Sequence, residues 1–153
     1  MGATAKPNKH DELRLLVNSR HPIITVETPE EERFEEMLLD VATELGVPFY
    51  EWSVTAGLSK YHGAAIYNTE QPEQALANIP LIQGDAIFLL KDFARYCEND
   101  RICRRLRDLA EKFRTTRRAI VISAASLQLP AELAAEARPL SWVCRRQKNC
   151  CPA

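Results

Sequence analysis

The chain has 153 residues, of which 46% are hydrophobic and 27% are charged, and its formal net charge is −1. This length fits one domain that can bury a core without a metal or a disulfide, and the near-neutral charge excludes a dominant attraction to nucleic acid or a membrane surface. No segment approaches the roughly 18 consecutive apolar residues of a membrane span, residues 1–9 lack a signal-peptide core, and the five cysteines include no C-x-x-C pair. We therefore expect a cytoplasmic protein with reduced thiols and no metal site.

The N-terminal part of the chain opens with a polar segment. Residues 1–10 are predicted to be disordered, residues 11–143 to form one α/β domain, and residues 144–153 to be an irregular tail that is dispensable for folding. Apolar spacing predicts a first helix over 11–19, and the β-branched run 23–27 predicts the first strand.

Helix-start signals follow this strand directly. Thr28 is predicted to cap the next helix, with Pro29 in its first position and Glu31 completing a capping box. Gly46 is predicted to end this helix, because glycine tolerates the left-handed conformation of a C-terminal cap.

The middle of the chain contains two further strand patterns. Residues 49–54 predict the second strand, and a loop containing Gly57 and Gly63 is expected after it. Pro72 is predicted to open a short helix. The unbroken apolar run 86–90 is typical of a central strand that is covered on both faces.

The C-terminal half repeats the alternation of helix and strand. Asn99 or Asp100 is predicted to cap a long helix, and 119–123 predicts the fourth strand. A short helix is expected from Pro130, and 139–143 predicts the fifth strand. Strands separated by helices predict a three-layer α/β domain, with a mostly parallel five-stranded sheet between two layers of helices.

Charge is distributed unevenly along the chain. Residues 11–51 carry eleven acidic and three basic side chains, whereas residues 95–118 carry nine basic and four acidic ones. Two interpretations stay open: solvated helix faces of opposite sign, or a surface that docks a protein partner or a second copy. No aromatic residues interleave with the arginines, so no nucleic-acid partner is expected. The docking candidates are Arg101, Arg104, Arg105 and Arg107.

The end of the first strand lacks the features of a phosphate site. Segment 27–32 reads ETPEEE, with no glycine, a proline that has no N–H, and four carboxylates that would repel a polyphosphate. The chain contains neither G-x-x-x-x-G-K-[ST] nor G-x-G-x-x-G. Since ligands of parallel sheets bind at the carboxyl ends of strands, a ligand-binding role would rest on the residues there. These ligand candidates are Thr28, Thr55, Asp92 and Ser123.

The end of the third strand argues against a magnesium site. Lys91 follows the apolar run where a metal-binding carboxylate would stand, and Asp92 comes one position later. Asp92 is interpreted as a helix cap or as a partner of Lys91, with metal ligation as the alternative. The chain has no G-x-S-x-G motif, so no catalytic residue, cofactor or metal is predicted.

Several spaced segments resemble the N-terminal region of AAA-type ATPases of cyanobacteria and plastids, a family known by a hypothetical-chloroplast-reading-frame name. They are ELRLL (12–16), ETPEEER (27–33), EWSVTAGL (51–58), LKDF (90–93), LRDLA (106–110) and LPAEL (129–133). The resemblance implies a degenerate P-loop-like domain with the five predicted strands in the order 5-1-4-3-2. It carries over no catalytic residue, and the ATPase module of that family lies further along the chain.

After residue 140 the sequence departs from the family, with three cysteines and three basic residues in the last thirteen positions. This shift predicts a truncated or frameshifted product, or a detached module, without the ATPase engine. The leading hypothesis is a non-catalytic protein-interaction or regulatory module. The alternative is a small nucleotide- or phosphate-binding domain, or an enzyme, that uses the strand ends.

Overall fold

A computed structural model describes residues 8–142, which form five α-helices and six strands. In chain order these are α1 (Lys9–Asn18), β1 (Ile23–Glu27), α2 (Glu31–Leu45), β2 (Phe49–Ser53), β3 (Gly57–Lys60), α3 (Pro72–Asn78), β4 (Ile87–Lys91), α4 (Asp100–Phe113), β5 (Ala119–Ala124), α5 (Ala131–Ala134) and β6 (Ala137–Leu140). Short 3-10 helices at Ile79–Leu81 and Phe93–Tyr96 follow α3 and β4. The predicted tail, 144–153, lies outside the described residues.

All six strands belong to one sheet, in the order β3-β2-β4-β5-β1-β6. Every neighbouring pair is parallel except β2 and β3, which form an antiparallel hairpin. The mostly parallel α/β fold and the order of its five predicted strands are confirmed. The sixth strand, β3, is a correction, because a loop was expected there. Gly57 opens this strand at a φ of 78°, so its glycine marks a tight turn into a strand.

Helices cover both faces of the sheet. One face packs against α1 and α2 around Phe34, Leu38 and Val121. The other packs against α3, α4 and α5 around Trp52, Phe88 and Leu106. The acidic helix α2 and the arginine-rich helix α4 therefore lie on opposite faces, so their charges do not neutralise one another. This placement explains why β4 and β5 are apolar at almost every position.

The helix ends differ in detail from their predicted positions. Helix α1 begins at Lys9, two residues early, because the Asn8 side chain accepts a hydrogen bond from the Asp11 N–H at 2.8 Å. The expected caps Gly46, with a φ of 71°, and Asn99 are confirmed. At the C-terminal end, β6 spans Ala137–Leu140 rather than 139–143, which shortens the preceding helix.

The turn after β1 corrects the predicted capping box. Helix α2 begins at Glu31, so Pro29 lies before the helix and not in its first turn. The Thr28 hydroxyl accepts a hydrogen bond from the Glu30 N–H at 2.9 Å. This bond closes a short turn around Pro29 and does not cap the helix.

The sheet ends on both sides in a short strand. The outermost β6 contains Pro139, opposite Thr25 of β1. Beyond β3, Ser59 forms an isolated antiparallel bridge with Ala65 of the following loop. Within residues 8–142, no helix combines the length and apolar character needed to cross a bilayer.

Candidate functional site

The carboxyl end of β1 is the position where a P-loop would bind phosphate. The Thr28 N–H donates to the Ala124 carbonyl at 2.8 Å, the Glu30 N–H donates to the Thr28 hydroxyl, and Pro29 has no N–H. Three consecutive positions therefore offer no backbone donor to a ligand. Thr28 itself is buried, and its hydroxyl is already engaged in the turn.

Glu30 holds this turn against the C-terminal part of the domain. Its carboxylate accepts from the Trp142 indole N–H at 2.9 Å and pairs with Arg33 at 3.1 Å. The Trp142 ring in turn packs edge-on against Phe34, with the ring centroids 5.5 Å apart. A carboxylate thus occupies the mouth of the turn and is fixed there by both a hydrogen bond and an ion pair.

Lys91, the last residue of β4, is surrounded by glutamates. Its Nζ lies 2.9 Å from Glu35, 3.3 Å from Glu51 and 3.8 Å from Glu31, with only 17% of its side chain exposed. We call these four residues the Lys91 cluster. Three carboxylates around one ammonium group leave the cluster net negative.

Burial and charge act against each other in the Lys91 cluster. Burial raises the pKa of Glu51, and the neighbouring Glu35 adds to this effect, although the charge of Lys91 opposes it. Burial alone would lower the pKa of Lys91, but its hydrogen bonds to Glu35 and Glu51 and their charges outweigh burial, and the pKa is raised. Lys91 therefore stays charged and acts as the counter-ion of its neighbours.

Asp92 is separate from this cluster. Lys91 was expected to pair with it, but in the described residues its partners are the three glutamates. Asp92 occupies the N-terminal cap position of the 3-10 helix at a φ of 55°, but its side chain makes no cap bond there. Its side chain borders a cavity of about 380 Å³. The cavity is lined by Asp92, Ala94, Arg95, Glu98, Ala124, Ala125, Ser126 and Gln128.

The other strand-end candidates do not converge on this cavity. Ser123 is buried within β5, and its carbonyl accepts from the Asp92 N–H at 2.8 Å. Thr55 lies in the exposed turn between β2 and β3, where its hydroxyl is 3.3 Å from that of Ser53. Of the four ligand candidates, only Asp92 lines this cavity.

The sequence analysis did not identify Glu35 and Glu51 as partners of Lys91. Glu51 of β2 pairs in register with Leu89 of β4, so it lies two positions from Lys91 along the adjacent strand. The register of the parallel strands β2 and β4 was the signal that would have placed Glu51 close to Lys91. Glu35 required the packing of α2 against the sheet, which sequence spacing alone does not specify.

Three of the four arginine candidates line a groove between α3 and α4. The groove holds about 560 Å³, with Leu76 and Leu109 among its apolar lining residues. Arg101 pairs with Glu73 at 3.4 Å and Arg104 with Asp108 at 3.0 Å. Three of the four candidates, Arg101, Arg104 and Arg105, line it together with Lys112, whereas Arg107 does not. We call this the basic groove.

The chain's similarity to known proteins agrees with the expected family. Residues 9–141 match the family model described as SpoVK-like AAA ATPase, N-terminal domain. The uncharacterized AAA domain-containing protein ycf46 of Trieres chinensis is 32% identical over 127 residues, covering 81% of this chain and 26% of that protein. The proteins of the same name from Pyropia yezoensis (31% identical, 82% of this chain, 26% of the relative) and Guillardia theta (31%, 80% and 25%) also match.

The chain spans about a quarter of the length of these curated relatives. Among solved structures, a chain in the structure of Drosophila ORC bound to DNA aligns with a TM-score of 0.48 and 11% identity, over 88% of this chain and 86% of that one. That likeness is too distant to carry functional information. The family model covers nearly all described residues, and the chain belongs to the SpoVK-like AAA ATPase N-terminal domain family.

Proposed function

We propose that this domain is a non-catalytic protein-interaction module that does not bind nucleotide. The observation that supports this proposal is an inversion of charge at the strand ends. Glu30 and Glu31 stand at the turn where a P-loop presents N–H donors, and Lys91 stands where a magnesium-binding carboxylate is needed.

Electrostatics supports the proposal. Two unit charges 4 Å apart near a protein surface interact by about 4 kcal/mol, so the carboxylates of the turn oppose a triphosphate, and the pairing of Glu30 with Arg33 and of Glu31 with Lys91 offsets part of this repulsion. The N–H groups of Thr28 and Glu30 are already bonded within the protein. A nucleotide would therefore meet acidic side chains at this turn without a hydrogen bond from either of these two groups.

Calorimetry tests the nucleotide part of the proposal. Titration of Mg-ATP and Mg-ADP to millimolar concentration should give no heat of binding, and neither nucleotide should raise the melting temperature. The matched control is the Glu30→Gln, Glu31→Gln variant, which removes two repulsive charges but restores no donors and should also stay silent. A 1:1 micromolar dissociation constant for the natural chain would refute the proposal.

The cavity beside Asp92 favours a second candidate, a domain that binds a small ligand. Its polar lining includes Asp92, Arg95, Glu98 and Ser126, so both charge signs are available to a ligand. Soaking crystals with phosphate and nucleotides discriminates the two functions. Ordered density touching Asp92 or Arg95 would favour ligand binding, and an unchanged cavity would favour the interaction module.

A further inference from the structure

We infer that the cavity beside Asp92 and a neighbouring cavity beside Cys97 together bind a basic amino acid, with its carboxylate at Arg95 and its side-chain cation at Glu132. This inference rests on the second candidate of the proposed function, ligand binding, and names the class of ligand. It does not require the domain to bind nucleotide.

The two cavities adjoin at the carboxyl end of the sheet, where ligands of parallel α/β folds bind. The cavity beside Asp92 holds about 380 Å³ and lies where β4 and β5 end. The second cavity holds about 410 Å³, and its lining includes Cys97, Glu98, Asp100, Leu129, Pro130 and Glu132. We call it the Cys97 cavity. Glu98 and Gln128 line both cavities, so one elongated ligand can occupy the two together.

The charged side chains of both cavities are not used within the protein. Among residues 8–142, six polar lining residues form no ion pair and no side-chain hydrogen bond. They are Asp92, Arg95, Glu98, Asp100, Ser126 and Glu132. Lys91, one residue before Asp92, is by contrast held by three glutamates. A ligand in these cavities would therefore gain polar partners without breaking an existing contact of the protein.

The balance of charge selects a ligand that is mostly cationic. Among the described lining residues, Arg95 is the one basic side chain against four carboxylates. A guanidinium group binds a carboxylate through two parallel hydrogen bonds, and carboxylates accept hydrogen bonds from ammonium groups. A basic amino acid has one carboxylate and two cationic groups, so it matches both signs. A polyphosphate would match Arg95 alone and be opposed by the four carboxylates.

The Cys97 cavity suits the aliphatic part of such a ligand. Leu129 and Pro130 line it beside the buried Cys97 and Cys103. Glu132 follows them in the first turn of α5. The methylene groups of a lysine or arginine side chain pack against apolar surface while the charged end keeps a polar partner. The wall and the carboxylate together therefore place the distal cation at Glu132.

Calorimetry with three probes tests each part of this assignment. The natural chain should bind L-lysine with a dissociation constant below about 1 mM. Cadaverine lacks the carboxylate and L-norleucine lacks the distal ammonium, so each should bind at least about tenfold more weakly. If cadaverine binds as tightly as L-lysine, the role of Arg95 is wrong. If L-norleucine does so, the role of Glu132 is wrong.

Two variants locate the ends of the ligand. Arg95→Gln should weaken L-lysine binding at least about tenfold and leave cadaverine binding unchanged. Glu132→Gln should weaken L-lysine binding and leave L-norleucine binding unchanged. The matched control, Lys60→Gln with Glu70→Gln, removes one charge of each sign at exposed positions outside both cavities. It should bind L-lysine like the natural chain, and circular dichroism confirms that each variant is folded.

Nuclear magnetic resonance shows where the probe binds. L-lysine should shift the backbone amide resonances of residues 92–98 and 124–132. The inference is wrong if L-lysine up to about 10 mM gives no heat, if the shifts lie elsewhere, or if the control is as impaired as Arg95→Gln. Such a failure leaves the phosphate and nucleotide soaks to decide ligand binding in general. The Mg-ATP titration tests the interaction module separately.

Discussion

Lys91 stabilises the fold as the counter-ion of three glutamates. Its ammonium group stands at the end of a buried strand and is held by glutamates from α2 and β2. Opposite charges in a half-buried site depend on each other, because removal of one partner leaves the others with an uncompensated desolvation cost. Lys91 therefore acts as a structural counter-ion in this half-buried site.

Replacement of Lys91 tests this role. Lys91→Met should lower the free energy of unfolding by about 1–3 kcal/mol at pH 8, because Glu35 and Glu51 lose their counter-ion. The matched control Lys60→Met, at an exposed position, should change it by less than about 0.5 kcal/mol. Urea unfolding followed by circular dichroism measures both.

The pH dependence of that loss follows from Glu51. Burial raises the pKa of Glu51, so its ionised form is disfavoured in the folded state, and this penalty grows when the charge of Lys91 is removed. The penalty is present above the folded-state pKa and is relieved as pH falls through it toward the usual 4.5. The difference between Lys91→Met and the natural chain should therefore be smaller at pH 5 than at pH 8. A larger difference at pH 5 would contradict this account.

Cys97 gives a second prediction at the residue scale. Burial, with a smaller contribution from Cys103, raises the pKa of the Cys97 thiol to about 12. Because the thiolate is the reactive form, Cys97 should resist iodoacetamide at pH 8 in the folded protein and react only after unfolding. Peptide mass spectrometry with and without urea checks this. Rapid labelling of Cys97 without urea would show that the segment after the 3-10 helix Phe93–Tyr96 opens readily.

The β2–β3 hairpin illustrates what sequence patterns can and cannot specify at the scale of an element. Long apolar strands such as β4 and β5 were predicted because burial on both faces requires an unbroken apolar run. Strand β3 has four residues and begins with glycine, so its pattern is too short to be distinguished from a loop. What holds it is a distant residue: the Thr69 hydroxyl accepts from the Leu58 N–H at 2.8 Å and donates to the Ile66 carbonyl at 2.6 Å.

Sequence patterns specified only part of the candidate site as well. The absence of a phosphate-binding motif can be read directly from the sequence. The acidic residues of segment 27–32 and the lysine at position 91 were visible in the same way. Which glutamates surround Lys91, and that α3 supplies one wall of the basic groove, depend on packing between elements far apart in the chain. Such contacts have no local periodicity from which to infer them.

Gly57 tests the construction of the hairpin. A Cβ at this position would lie 2.8 Å from the Thr69 hydroxyl oxygen, which cannot move without breaking its two bonds. Gly57→Ala adds that clash to the cost of an alanine at a positive φ, so we expect a loss of about 2–4 kcal/mol. Gly46→Ala is the control, with a φ of 71° but open space around the new Cβ, and should cost only about 1–2 kcal/mol. Equal losses would mean that the contact with Thr69 is unimportant.

At the scale of the whole molecule, two hydrophobic cores share a single sheet. The chain has two tryptophans, and they report on opposite faces: Trp52 is buried with α3 and α4, and Trp142 packs on the side of α2. Because β4 and β5 contribute side chains to both cores, loss of one face should remove the support of the other.

This arrangement predicts a single unfolding transition. In Trp52→Phe the remaining fluorescence follows the α2 face, and in Trp142→Phe it follows the α4 face. Within each variant, the urea midpoint from fluorescence should coincide with the midpoint from far-ultraviolet circular dichroism. A fluorescence midpoint that separates from circular dichroism in either variant would show that the two faces unfold independently.

The outer edges of the sheet determine how such a domain behaves when many copies are close together. Pro139 in β6 has no N–H to offer another strand, and the loop residue Ala65 already bridges Ser59 beyond β3. Open strand edges are a common route to irreversible aggregation through pairing between chains. With both edges obstructed, crowded copies are protected from merging their sheets.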